Sequence, residues 1–293
     1  MNRRNFLQSL TLASTATPFL MNANILHPFL LPQTENEDLC KSKFQIAVSK
    51  GWAKLPINEV IVNVGKTFLG TQYVEHVLEA PGEEHLIVNM SGLDCVTFYE
   101  NSLVIARCIK KNKMTFDDYK KELQFIRYRG GVINGYASRL HYTSDYLYDN
   151  ERKGVWKIVT KELGGVPYKK KLDFMSTHAE SYWQIRESDK VKKQIEEMEQ
   201  EISKRELYAI PKGKVSEISD KILDGDILGI TTDIEGIDTS HTGITIRENG
   251  KVHFMHAPLA GKQVQISEKV LSEYLAFNKR QTGIMVARPL EPI

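Results

Sequence analysis

The stretch Ser91-Gly92-Leu93-Asp94-Cys95-Val96-Thr97-Phe98-Tyr99-Glu100 decides how the chain is read. Val96, Tyr99, Leu103 and Ala106 recur at spacings of 3, 4 and 3, which is one stripe of a helix. Asp94 is a good N-cap for that helix, and Gly92 permits the tight turn before it. Cys95 therefore falls in the first helical turn. Backbone N–H groups and the helix dipole there favour thiolate over thiol, and a thiolate is the nucleophile of acyl transfer. The competing reading is a small buried hydrophobe at a helix start.

Working outward, further helical stripes precede and follow Cys95. Ile57, Val60, Ile61 and Val64 form one. A helix over Thr115 to Tyr128 carries Phe116, Tyr119, Leu123 and Ile126 on one face and stops at Gly130-Gly131. Ser188 to Arg205 spaces Val191, Ile195, Met198 and Ile202 by 4, 3 and 4, an amphipathic helix whose charges form a solvated face. After Leu223 the pattern turns to short strands: Ile227 to Ile230, His241 to Arg247 and Lys251 to Ala257. Helices first and strands later predict an α+β fold with an antiparallel sheet.

A thiolate needs a histidine held by a third group. Among eight histidines, His241 opens a strand that runs into Glu248-Asn249-Gly250-Lys251, and Asn-Gly is the strongest short hairpin signal. With Asn249-Gly250 as a two-residue loop, Glu248 faces Lys251, Ile246 faces His253 and Gly243 faces His256. Alternation then puts His241, Gly243 and His256 on one face, and turns His253 to the other. His241 and His256 become diagonal neighbours, about 7–8 Å apart at the backbone and within side-chain reach. This parity selects His256 as the partner that orients His241, and leaves room beside it at Gly243. The same parity splits His253 and His256 as a metal pair. No Cys-x-x-Cys, His-Glu-x-x-His, Gly-x-Gly-x-x-Gly or phosphate-loop pattern occurs, so neither a metal nor a cofactor is expected.

The chain has 293 residues, enough to bury a core without a disulfide or metal staple. With 39 basic and 37 acidic residues it has no basic excess to offer nucleic acid. Hydrophobic residues make up 41% and charged residues 26%, which excludes bulk disorder. Three cysteines, Cys40, Cys95 and Cys108, are not a disulfide scaffold. Cys108 falls in an apolar stretch and suits packing, and Cys40, in a polar segment, has no assigned role. Arg3 and Arg4, then no charge until Glu35, with small residues between, make residues 1–32 an export signal and leader. Asn2 to Leu7 loosely matches a twin-arginine signal. An uncleaved membrane anchor is the other reading, against which Pro18, the threonines and His27 argue. Residues 33–293 are expected to be one catalytic domain with a helical insertion around 150–215. Export makes the location periplasmic or cell-envelope, where a surviving free thiol suggests catalysis.

Asp94-Cys95 opening a helix, then Gly225-Asp226-Ile227-Leu228, His241-Thr242-Gly243-Ile244 and His256-Ala257-Pro258, resemble the ordered signature of the NlpC superfamily, papain-like cysteine hydrolases of bacterial cell walls. Phe68 to Tyr73 resembles the upstream segment whose tyrosine lies beside the nucleophile. Ser91 to Phe98 with Tyr136 to Tyr142 looks more like one exported branch, associated with N-acetylmuramoyl-L-alanine amidase activity. The resemblance implies a papain-like fold, Cys95 as nucleophile, His241 as base, His256 as third residue and Tyr73 near the oxyanion site. It implies peptidoglycan or muropeptides as substrate. Tyr73 to Cys95 and His241 to His256 are both longer than the usual spacings, which keeps His253 as a fallback. Stem-peptide endopeptidase, a non-catalytic cell-wall-binding protein and, more remotely, a disulfide oxidoreductase are the alternatives. Arginine binds carboxylates in pairs of hydrogen bonds. Arg129, Arg139, His141 and Tyr142, with Asp94, are therefore candidates to hold a substrate carboxylate or neighbouring group, against ordinary surface charge and aromatic packing.

Overall fold

The structure of the protein, a computed structural model, describes residues 33–293, so the export signal expected at 1–32 lies outside the described residues. The decisive stretch folds as its caps demand. Asp94 is extended, and its carboxylate accepts from the N–H groups of Val96 at 3.0 Å and Thr97 at 2.7 Å. The Thr97 hydroxyl accepts the Asp94 N–H in return, at 2.9 Å. This reciprocal cap starts helix α3, Cys95–Lys110. Every residue from Thr97 to Ile109 is buried, so α3 is a central helix wrapped on all sides, where the sequence stripe predicted one buried face. Most of its buried polar groups are paired, Arg107 Nη1 being an exception. Glu100 binds Arg127 and Tyr146, and Arg107 binds Glu122 at 2.6 Å.

Around α3 lie α1 (Gln33–Ser49), α2 (Ile57–Lys66) and α4 (Phe116–Arg127), the last capped by Thr115. Cys40, within its polar stretch of sequence, sits in α1 fully buried against the core. Two short strands, β1 (Gln72–Tyr73) and β2 (Gly92–Leu93), pair in parallel just before Cys95. Helix α5 (Thr143–Arg152) follows, then β3 (Trp156–Ile158), β4 (Val166–Pro167), α6 (Asp189–Ser203) and β5 (Tyr208–Pro211).

The remaining strands are β6 (Ile227–Thr232), β7 (Thr239–Glu248), β8 (Lys251–His256), β9 (Gln265–Ile266) and β10 (Gln281–Pro289), with α7 (Leu271–Phe277) before the last. The large sheet runs β4-β5-β10-β6-β7-β8-β9, with β3 also on β10, and its pairings are antiparallel. The fold is thus α+β with an antiparallel sheet. Alternation divides the sheet's faces. Ile227, Ile244, Met255 and Met285 face α2 and α3. Leu228, Ile230, Phe254, Ile284 and Val286 face α7 and the 3-10 turns at 212–221.

The 150–215 segment differs from a helical insertion. It contributes β3, β4 and β5 to the main sheet: β3 and β5 pair with β10, and β4 pairs with β5. Helix α6 buries Ile195, Met198 and Ile202 over a third small core with Tyr136, Tyr142 and Met175. Its charges are not all solvated: Glu199 is buried and accepts from Tyr142 Oη and the Met175 N–H. Among the described residues no helix is long and apolar enough to cross a membrane.

Candidate active site

The β7–β8 hairpin has the register that Asn249-Gly250 predicts. Glu248 pairs with Lys251, Ile246 with His253 and Ile244 with Met255. Asn249 and Gly250 have φ of 51° and 77°, the left-handed values a type I′ turn needs. His241 and His256 therefore meet: His241 Nε2 lies 2.8 Å from His256 Nδ1, with the rings nearly perpendicular. Gly243 is required between them, since a Cβ there would come within 2.7 Å of the Phe254 ring and 2.6 Å of the Met255 carbonyl. His253 points to the opposite side, where its Nδ1 meets the Ser267 carbonyl at 2.8 Å, so the fallback is dropped.

Helix α3 brings Cys95 to this strand. Thr242, next to His241, donates its hydroxyl to the Cys95 carbonyl at 3.0 Å. Burial pushes the Cys95 thiol up to about 12, and the Asp94 carboxylate adds to it; Thr242 and the Cys95 N–H pull the other way. A helix start was expected to favour thiolate, yet here desolvation outweighs the dipole. Burial also lowers His241 to about 4 and His256 to about 2. At rest the thiol and both imidazoles are neutral. Tyr73 arrives through the β1–β2 pairing, close enough for the charges of Cys95 and Asp94 to help burial raise its phenol far above its usual value. It stays a hydrogen-bond donor at any working pH.

The expected substrate-holding residues make partners within the chain. Arg139 is 4% exposed; its guanidinium donates to the Leu78 carbonyl at 2.6 Å and Glu79 at 2.7 Å, and faces Glu84 at 3.6 Å. Arg129 forks onto Asp145. His141 holds the Tyr136 carbonyl and is pushed down to about 3 by burial and Arg139. Tyr142 Oη is bound by Glu199, and one carboxylate oxygen of Asp94 is spent on the helix cap. Both arginines thus spend their charge on carboxylates of the chain itself. Their segment instead braces the strand that carries His241: Thr143 and Thr239 hydroxyls lie 2.6 Å apart, and the Ser144 N–H donates to Asp238 at 2.6 Å.

Three residues at the site escaped the sequence reading. Thr242 was within a quoted motif but had no role. Tyr274 of α7 stands edge-on to His256, and it hydrogen-bonds Gln281 of β10. No local pattern marks these two; only the return of the chain after β9 brings them in. Among the described residues no group of three or more His, Cys, Asp or Glu side chains is arranged to hold a metal ion.

Comparison with known proteins fits this geometry. An N-acetylmuramoyl-L-alanine amidase from Bacteroides uniformis superimposes with a TM-score of 0.76 at 34% identity, over 80% of this chain and 98% of that one. A Bacteroides fragilis protein proposed to be a xylanase gives 0.74 at 37% identity, over 77% and 99%. A Legionella pneumophila protein at 18% identity shares the fold, with a TM-score of 0.65 over 88% and 95%. No curated protein matches the sequence. The model of the AmiA-like family, described as N-acetylmuramoyl-L-alanine amidase-like, matches residues 63–284, and the chain belongs to that family of cell-wall hydrolases.

Proposed function

We propose that the protein is an exported cysteine amidase of the papain-like NlpC type that cuts the amide between N-acetylmuramic acid and L-alanine in peptidoglycan or its fragments. The observation that carries this reading is the 2.8 Å contact between His241 and His256 on the strand beside Cys95. Cys95 Sγ attacks the lactyl carbonyl as His241 takes the thiol proton. With the thiol near 12 and the imidazole near 4, that transfer is uphill at rest and accompanies attack on bound substrate. The Cys95 backbone N–H and the Tyr73 phenol receive the oxyanion, the next two N–H groups being held by Asp94. The C–N bond breaks, His241 returns the proton to the alanine amine, and water then hydrolyses the thioester with His241 as base.

Three side chains of this site, a thiol and two imidazoles, suit acyl transfer, whereas glycoside cleavage relies on a carboxylate pair. The test is mass spectrometry of purified muropeptides after digestion. Release of an intact stem peptide beginning with L-alanine is expected, unaffected by a chelator and abolished by a thiol-alkylating reagent. Dipeptide products with L-alanine still on the sugar would make the protein a stem-peptide endopeptidase instead.

A further inference from the structure

The His241–His256 contact has a direction that the chemistry dictates. To accept a proton from Cys95, neutral His241 needs its own proton on the nitrogen that faces His256. His241 Nε2–H then donates to His256 Nδ1, and neutral His256 carries its proton on Nε2. The other tautomer of His256 would donate to His241 Nε2, force the His241 proton onto Nδ1 and remove the base.

His256 Nε2 is buried and has no hydrogen-bond partner. The tautomer that catalysis needs thus leaves a buried donor unpaired, and burial without a partner disfavours it. A complementary atom lies in the same pocket wall. Tyr274 stands against His256 with ring centroids 5.6 Å apart and planes at 89°. Gln281, 3% exposed on β10, hydrogen-bonds that tyrosine, and its Oε1 is likewise buried without a partner. An unpaired donor and an unpaired acceptor flank one tyrosine.

We propose that Gln281 is a positioning residue: its Oε1 accepts the His256 Nε2 proton, through a bridging water or a rotated amide, and so locks the tautomer that makes His241 a base. The chain of hydrogen bonds then runs from Cys95 through His241 and His256 to Gln281, with Tyr274 holding the amide in place. This rests on the cysteine–histidine mechanism proposed above.

Histidine 15N NMR on the full chain reads the tautomer without substrate. The native protein should show His256 protonated at Nε2. Gln281→Met keeps the volume and removes the acceptor; it should shift His256 toward the Nδ1–H form, slow iodoacetamide alkylation of Cys95, and lower kcat on muropeptides roughly ten-fold with KM unchanged, in line with losses of outer partners behind functional histidines. Gln281→Glu restores an acceptor and should restore the Nε2–H form and most of the rate. A folded Gln281→Met variant that keeps the native tautomer overturns the proposal, as does a Gln281→Glu variant that loses it. Full turnover by Cys95→Ala would instead sink the cysteine mechanism, a result the tautomer measurement does not touch.

Discussion

Helix α3 carries a cysteine at each end, thirteen positions apart, and the two ends differ in what faces them. Burial pushes the thiol up at both: Cys95 to about 12 and Cys108 higher still. Acidity therefore does not tell nucleophile from filler. At the first end, Thr242 supplies donors, His241 and His256 form a pair, and Tyr73 and Tyr274 close the sides. At the second, Cys108 is packed in the main core near Cys40, with Glu122 as its nearest strong charge. In the proposed mechanism, what sets Cys95 apart is what other strands bring across to it.

The sharpest way to break this contrast is to remove each thiol. Cys95→Ala should lower kcat at least about a thousand-fold, since no other group forms the acyl intermediate, while circular dichroism stays native. Turnover near the native level would end the mechanism. Replacing the two histidines that flank Phe254 comes next in size. His256→Ala should cost on the order of a hundred-fold in kcat, and His253→Ala less than about three-fold, the larger loss matching removal of a partner behind a functional histidine. The reverse ranking would mean that the hairpin is out of register.

A pH profile sharpens the comparison further. His241 works only when unprotonated, and burial lowers it from 6.5 to about 4. The acid limb of kcat/KM, which reports the free enzyme's base, should therefore fall near pH 4 rather than 6.5. A limb at 6.5 would place the ring in water. The smallest effect belongs to Cys108→Ala, which should leave kcat/KM unchanged and cost about 1 kcal/mol of stability, read as a melting temperature about 2–4 °C lower for a chain of this size.

Local chemistry explains what was legible beforehand. Asp94 and Thr97 cap a helix through atoms three residues apart, and Asn249-Gly250 sets the pairing of the strands beside it. Both signals are contained within a few residues, so the cysteine, the histidine pair and the antiparallel sheet could be read from them. Arg139 could not. Its partners Glu79 and Glu84 lie about sixty positions upstream, in a loop with no periodicity, and a guanidinium looks the same in sequence whether bound or free. Strands β3, β4 and β5 are too short to show alternation; β10 offers its edge to β3 and β5, and β5 in turn to β4. Tyr274 and Gln281 belong to the same class of long-range consequence.

The two-residue turn at Asn249-Gly250 also sets how the gene can drift. Gly250 has open space around it and the turn touches nothing at the site. Both residues nevertheless hold left-handed φ, so a β-branched substitution at either should strain the turn although nothing crowds it. Gaining or losing one codon acts on the register instead: strands that re-pair around the new length exchange which of His253 and His256 faces His241. The turn thus constrains both letter and length, and a change at the protein's surface reaches the histidine pair through strand parity.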